Sequence, residues 1–425
     1  ENQSSYTRWM TISKQLSMEA GTFRNKRQAQ EQIISLAETS NMIYRSLAMK
    51  NIIIPHGFQA HYTIGFANGL ATNGIELTVI TSDAEYPGLD RLIHRHTIKA
   101  ENIASRSRIK KLIDHAIYHL KLIFYIARNF GSTVHITGTF RYQLFEGLVE
   151  ALLLRVLSRR LILTVHNILP HDSHTLFNRI QHWLMYKIPH HLVVHTGLMK
   201  QELTRTFGIK SNNITVMEHG LNSVIEECQL SKEDCRHALG LPKNKLILLL
   251  FGGLSPYKGI ETMLDSLELL NDNYYLVIAG TTQDKQYADT LKRRALENRN
   301  HHNILFLNAF LPDDDVASMF RASDVIVMPY KHIDQSGMVF LGLKMGLPII
   351  AFDVGSLSQY IGQDIGIIVS NKTAEGLSQA ITFFNDHSDF YSSSKIKEHA
   401  KRYEWPKVVG AITGLYEHPK PAAAA

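Results

Sequence analysis

Leu246-Ile247-Leu248-Leu249-Leu250-Phe251-Gly252-Gly253-Leu254-Ser255-Pro256-Tyr257-Lys258-Gly259 is an apolar run that breaks into two glycines, a proline and one lysine. Past it, Ile260, Leu264, Leu267 and Leu270 recur at helical spacing. The segment reads as a buried parallel strand, a tight turn and a helix. Such a junction turns backbone N–H groups and the positive end of a helix toward solvent. With Lys258 as a mobile cation, the turn is suited to phosphate. Many strand-to-helix loops contain glycine and lysine and bind nothing, so this stretch alone leaves the ligand open.

The same alternation extends in both directions. Downstream lie apolar runs at 275–279, 304–307, 325–328, 348–352 and 366–369; upstream they lie at 51–57, ending in a glycine turn, and at 75–82, 134–138, 161–167, 192–196 and 214–220. Strands alternating with helical patterns make βαβ units and an α/β class. Two successive sets predict two doubly wound domains, with ligands beyond the carboxyl ends of the strands and first of all in a cleft between the halves. Residues 222–245 are polar, without a long apolar run, and read as the linker. The expected divisions are an N-terminal helical extension at 1–48, a first domain at 49–225 and a second at 226–400. A C-terminal helix at 401–418 is expected to cross back to the first.

A chain of 425 residues suggests two or three domains, and 44% hydrophobic with 20% charged residues is the composition of a folded protein. Cys228 and Cys235 are too few for a disulfide framework, which favours a reducing cytoplasm. No apolar stretch reaches the roughly 18 residues needed to span a bilayer, and no signal-peptide pattern heads the chain. The net charge of +6 is unevenly placed: from Arg91 to Arg128 basic residues far outnumber Glu101 and Asp114. Within 104–128, Arg106, Arg108, Lys110, Lys111, Lys121 and Arg128 interleave with Ile113, Ile117, Leu120, Phe124 and other apolar residues. That pattern fits an amphipathic helix pressed on anionic lipid, or a helix packed on the sheet with a solvated basic face. The basic run lacks interleaved exposed aromatics, so nucleic acid is not an expected partner.

Five motifs follow one another in order: His219-Gly220; Phe251 to Gly259; Ala322-Ser323-Asp324 to Pro329-Tyr330; Gln335-Ser336-Gly337; and Gly346-Leu347-Pro348 to Gly355. Together they resemble the donor-binding half of GT-B glycosyltransferases, particularly family four and related bacterial polysaccharide-assembly transferases. The resemblance is strong from about His166 to Glu417 and absent from the first 48 residues. It implies a GT-B fold, two Rossmann-like doubly wound domains facing across a cleft.

It also implies roles. The diphosphate of a sugar nucleotide would meet Lys258 and the N–H groups near Ser336 and Gly337, with Gln335, His219, Gly252 and Gly253 completing the donor site. Relatives usually carry arginine at Gly253. They also carry a ribose-binding glutamate where Leu341 stands, which cannot accept such a bond; Asp334 is a nearby substitute. Backbone groups around Phe310 and Leu311 would read the base, or form only a hydrophobic turn. Gly57 would lie near the phosphates, although glycine after a strand is commonplace. In Val165-His166-Asn167-Ile168-Leu169-Pro170-His171-Asp172, His166 would touch the donor sugar or take a proton, and Asp172 would serve as general base. Tyr403-Glu404-Trp405-Pro406 resembles the start of the last helix, which ties the lobes.

His166, His171 and His174, or His190, His191 and His195, have ligand-like spacing, but cysteines and carboxylates at zinc-like spacings are missing and no Asp-X-Asp stands at a strand end. No metal or other cofactor is expected. The expectation is a hexosyltransferase that moves a sugar from a GDP- or UDP-sugar to a hydroxyl of a lipid-linked saccharide, in bacterial exopolysaccharide or glycolipid synthesis. It would work in the cytoplasm at the inner face of the plasma membrane, held there by the basic helix at 104–128. A sugar-nucleotide epimerase on the same scaffold and a non-catalytic GT-B-fold partner are the alternatives.

Overall fold

A computed structural model describes residues 50–56, 59–81, 86–98, 108–138, 146–169 and 176–416. The helical extension read at 1–48, and with it Gly57, His171, Asp172 and His174, lie outside the described residues.

Two parallel sheets organise the chain. The first holds β1 (Asn51–Ile54), β2 (Thr78–Thr81), β3 (His94–Thr97), β4 (Thr133–Ile136), β5 (Arg160–Val165), β6 (His191–Val194) and β7 (Ile214–Val216), in the order β3-β2-β1-β4-β5-β6-β7. The second holds β8 (Leu246–Phe251), β9 (Tyr274–Gly280), β10 (Ile304–Asn308), β11 (Val325–Met328), β12 (Ile349–Phe352) and β13 (Gly366–Val369), in the order β10-β9-β8-β11-β12-β13. β8 was read correctly to the residue, because both its faces are covered and Ile247 to Leu250 form one unbroken buried run. β3, His-Arg-His-Thr, had no apolar pattern to read; it is a mostly exposed edge strand whose polar side chains keep other chains from pairing with it.

Strand order fixes where ligands can sit. In each sheet the chain leaves the first strand in one direction and returns to its other side, so the order reverses between β1 and β4 and between β8 and β11. The crevices of a doubly wound sheet open at those two points, beyond the carboxyl ends.

Alternate residues of the first sheet feed two cores. Ile53, Val79, Ile162 and Val193 pack with Tyr62 and Phe66 of the helix Ala60–Thr72. Ile52, Ile54, Val134, Ile136, Leu161 and Leu163 pack with Leu122 and Ile126 of the helix Arg108–Arg128, Ala151 and Leu154 of Glu146–Leu157, and Met185 of Leu176–Lys187. A strand sends successive side chains to opposite faces, so the last three helices cover the face away from helix 60–72.

The linker region is not loose. Ser231 caps the helix Lys232–Ala238, and buried Arg236 donates to Ala322 O at 2.9 Å and to Asp324 at 2.5 Å. Asp324 also accepts from Ile247 N at 2.6 Å, so this motif carboxylate pins the linker to β8 and β11.

The expected C-terminal helix is one α turn, Trp405–Val408, continued as a 3-10 run, Val409–Leu415. It lies on the first sheet's side. Trp405 sits against helix 60–72 in a slot where a Cβ on Gly65, Gly69 or Gly220 would approach to 2.0, 2.9 or 2.3 Å. Farther on, Tyr416 bonds His135 of β4, and Arg160 of β5 donates to Leu415 O at 2.6 Å.

Candidate active site

At the β8–β11 switch point the loop after β8 is held by close backbone approaches. Gly259 has φ +68, and a Cβ there would come within 1.9 Å of Pro329 O. Only glycine lets the loop lie this close to the end of β11. Lys258 closes the 3-10 turn Pro256–Lys258 and folds inward, its side chain almost wholly buried. Its Nζ donates to Phe251 O at 3.1 Å and stands 5.6 Å from the centre of the Tyr330 ring. Burial lowers its pKa to about 8. A buried ammonium with few partners is costly to hold and favours an anion as partner.

The second loop reaches the same place. A Cβ on Gly252 would lie 2.7 Å from Lys258 Nζ and 3.7 Å from Met338 Sδ, so the glycine turn, the amine and the start of the helix Gly337–Met345 share one neighbourhood. Ser336 caps this helix by accepting from Met338 N at 3.3 Å. Gln335 is buried, and its Nε2 has no hydrogen-bond partner among the described residues. An orphaned amide donor and a lysine beside a helix start are chemistry for a phosphate oxygen.

Facing helix 337–345 are side chains of the first sheet. His166, His195 and His219 follow the ends of β5, β6 and β7 and surround Tyr62, with ring centres 4.8, 5.7 and 5.3 Å from its own. His219 stacks on Phe340, and its Nε2 would lie 3.8 Å from a Cβ on Gly337. Its Nδ1 donates to Gly220 O at 2.6 Å, which leaves Nε2 as the acceptor side of the ring. The sites predicted at Gly252, Lys258, Gln335, Ser336, Gly337 and His219 are thus brought together. Gly253 borders open space, with Thr281 O 3.8 Å from a Cβ there. Phe310 and Leu311 follow β10, two strands from β8, and Phe310 is exposed.

Comparison with known proteins bears on the family and the fold. The model described as Glycosyltransferase Family 4 matches residues 59–223, and that described as Glycosyl transferases group 1 matches residues 231–403. Between them they span the second sheet and all of the first except β1. The chain is a GT-B glycosyltransferase resembling family four. An uncharacterized glycosyltransferase of Methanocaldococcus jannaschii is 22% identical, covering 83% of this chain and 92% of that one. The lipopolysaccharide core biosynthesis mannosyltransferase of Rhizobium meliloti is 23% identical over 48% of this chain and 60% of its own. Among solved structures, Anabaena HepE in complex with UDP-glucose superposes with a TM-score of 0.66 at 16% identity, covering 86% of this chain and 98% of that one.

Some residues of the transferase stand differently from expectation. His166, expected at the reacting sugar, uses both ring nitrogens within the protein: Nε2 on Thr137 O at 2.6 Å and Nδ1 facing His195 Nε2 at 3.1 Å. Asp334, considered as a ribose ligand, instead accepts from Ile168 N at 2.9 Å and so joins the loop after β5 to the loop after β11. Tyr360 makes a second such link, donating to His195 O at 3.3 Å. Leu341 is buried in the core of the second sheet. His190 and His191 are likewise engaged, with Leu161 N and Thr215 Oγ1. Among the described residues no three His, Cys, Asp or Glu side chains converge as metal ligands.

Sequence reading missed a titratable cluster at the β1–β4 switch point of the transferase. Among the described residues His56 is the one non-glycine with positive φ, +52. Its Nε2 lies 3.4 Å from Glu150 Oε1, and His119 Nδ1 lies 3.6 Å from Glu150 Oε2. Burial raises the Glu150 carboxyl to about 8. The one available signal was His56 directly before a glycine at a strand end.

Proposed function

We propose that the chain transfers a hexose from a UDP- or GDP-sugar to a hydroxyl of a lipid-linked saccharide, in exopolysaccharide or glycolipid synthesis at the cytoplasmic face of a membrane. The observation that carries the reading is the buried Lys258 amine beside the start of helix 337–345, with Gln335 Nε2, which has no hydrogen-bond partner among the described residues, at the same helix start. As the glycosidic bond breaks, charge grows on the diphosphate oxygen, and fixed donors stabilise that charge most where water is excluded. Lys258, Gln335 and the N–H groups at Ser336 and Gly337 supply the donors without a metal ion. His219 faces the same helix start, and Gly252 and Gly253 let phosphate approach the main chain.

Residues 226–400 then act as the donor domain, with Phe310 and Leu311 at the base. Residues 49–225 act as the acceptor domain, with Gly57 near the donor phosphates and Asp172 as general base; His166 supports the site from behind. The last residues, 401–418, tie the domains together. That HepE was solved with UDP-glucose, and that the Rhizobium relative is named for lipopolysaccharide core biosynthesis, supports the donor and acceptor classes. Among the described residues no helix is long and apolar enough to cross a membrane, so contact with a lipid acceptor is assigned to surface helices, beginning with the basic helix 108–128.

Isothermal titration with a panel of UDP- and GDP-sugars tests the reading. One of them should bind, and Lys258→Ala should abolish transfer. Absence of binding across the panel, or full turnover in Lys258→Ala, would overturn it.

A further inference from the structure

The three helices that cover the far face of the first sheet bury one side and leave an apolar outer side. On helix 108–128 Leu120 and Phe124 are 71% and 62% exposed; on 146–157 Leu152 and Val156 are 52% and 73% exposed; on 176–187 Ile180 and Trp183 are 53% and 45% exposed. Helix 146–157 touches both of the others, so these side chains belong to one surface rather than three spots. Scattered exposed apolar residues are ordinary on a folded protein, but rows on adjacent helices mark a contact surface.

Charge agrees with a membrane as the partner. The three helices carry eight Lys and Arg residues against three acidic ones, of which Glu150 is buried and Asp114 half-buried. Lys121, Arg128, Arg179 and Lys187 are exposed among the apolar rows. On the two outer helices a cation lies over an aromatic ring: Arg128 over Phe124 at 5.6 Å and Lys187 over Trp183 at 5.7 Å. Apolar bodies beside long basic side chains suit a medium whose apolar interior begins a few ångströms below a layer of phosphate.

We propose that the outer face of helices 108–128, 146–157 and 176–187 is a docking surface for an anionic lipid bilayer. It deepens the membrane contact proposed above from one basic helix to a three-helix platform, and it rests on that reading only for the choice of partner. Because helix 60–72, with Tyr62 among the site histidines, packs on the opposite face of the sheet, docking here leaves the candidate site uncovered. The surface takes up lipid headgroup phosphates through its basic side chains and acyl chains through Leu152, Val156 and Trp183.

The test uses the full chain in flotation with vesicles of phosphatidylcholine alone and with about one-third phosphatidylglycerol added. Wild type should float with the anionic vesicles and not with the neutral ones. Leu152→Glu/Val156→Glu should lose at least about tenfold in partitioning, and Lys121→Glu/Lys187→Glu should lose binding in a salt-dependent way. Unchanged thermal unfolding shows that the variants are folded. Turnover with a short water-soluble acceptor, measured on the same samples, should be unaffected. Wild-type protein that stays with the unbound fraction, variants that float as wild type does, or a dimer in light scattering that Leu152→Glu/Val156→Glu dissociates would overturn the platform. Loss of nucleotide-sugar turnover in wild type, with flotation intact, would instead overturn the transfer reading.

Discussion

His166 Nδ1 lies 3.1 Å from His195 Nε2, and the outer nitrogen of each ring meets a carbonyl oxygen, Thr137 O at 2.6 Å and Met217 O at 3.0 Å. A carbonyl can only accept, so each neutral imidazole spends its single proton outward and the two inner nitrogens face each other as lone pairs. A third proton would join them. Burial opposes it: desolvation lowers His195 to about 4 and His166 well below its ordinary value, with His135, His195 and His219 as the surrounding imidazoles.

Acid stability follows from that pair. The folded pKa lies below the unfolded value near 6.5, so the stabilisation is complete above pH 6.5 and is lost as pH falls toward about 4. The share of His195 is on the order of 3 kcal/mol. Thermal unfolding between pH 7 and 4.5 should show a smaller fall in Tm for His195→Gln than for wild type. An equal fall would place the acid sensitivity elsewhere.

Lys258 should trade stability for activity. Its pKa is lowered to about 8, so below that pH the fold holds a buried charge at a cost. Lys258→Met should raise Tm at pH 7 and weaken binding of the proposed nucleotide-sugar donor by roughly 10- to 100-fold, worth about 1.4–2.8 kcal/mol. In wild type the affinity should decline as pH rises past 8, where the amine loses its proton. Titration calorimetry across pH 7–9 reads both effects.

A Cβ at Gly253, where the family resemblance implies an arginine, would meet nothing closer than Thr281 O at 3.8 Å. Gly253→Arg should change stability by no more than about 0.5 kcal/mol. It should tighten donor binding about fivefold, an effect that shrinks in high salt. Weaker binding by the variant would put the diphosphate away from this turn.

Trp405 fills a slot made of three glycines and donates to Leu221 O at 2.7 Å. Trp405→Ala should cost about 3–5 kcal/mol in chemical denaturation. Gly65→Ala should be similarly costly, because its Cβ would come within 2.0 Å of Trp405 Nε1. The double variant should lose less than the sum, since both changes remove the same contact.

Where the sequence was informative, burial made it so. β8 and β11 match the expected strands to the residue because strands covered on both faces need unbroken apolar runs; β13 matches too, although it is an edge strand whose Ile367 and Ile368 are half-buried. The grouping of Gly252 and Lys258 with the start of helix 337–345 was legible because its parts lie in short stretches: Gly252 to Gly259, then Gln335 to Gly337. Contacts between distant stretches left no local trace. Nothing near Asp334 announces Ile168, 166 residues away, and nothing near His166 announces that His195 occupies its second nitrogen. The exposed rows on helices 146–157 and 176–187 were hidden for a different reason: an apolar residue in a helix reads as core until the structure shows which side the sheet takes.

The bond between Tyr416 and His135 spans 281 positions, and Arg160 reaches Leu415 across 255. During synthesis, therefore, the earlier half leaves the ribosome long before the segment that finishes its surface. Until the last stretch emerges, the groove that Gly65 and Gly69 open on helix 60–72 lacks its indole. An isolated fragment ending near residue 225 would keep that groove permanently, whereas one that also received the 405–416 strip as a separate peptide could be completed in trans.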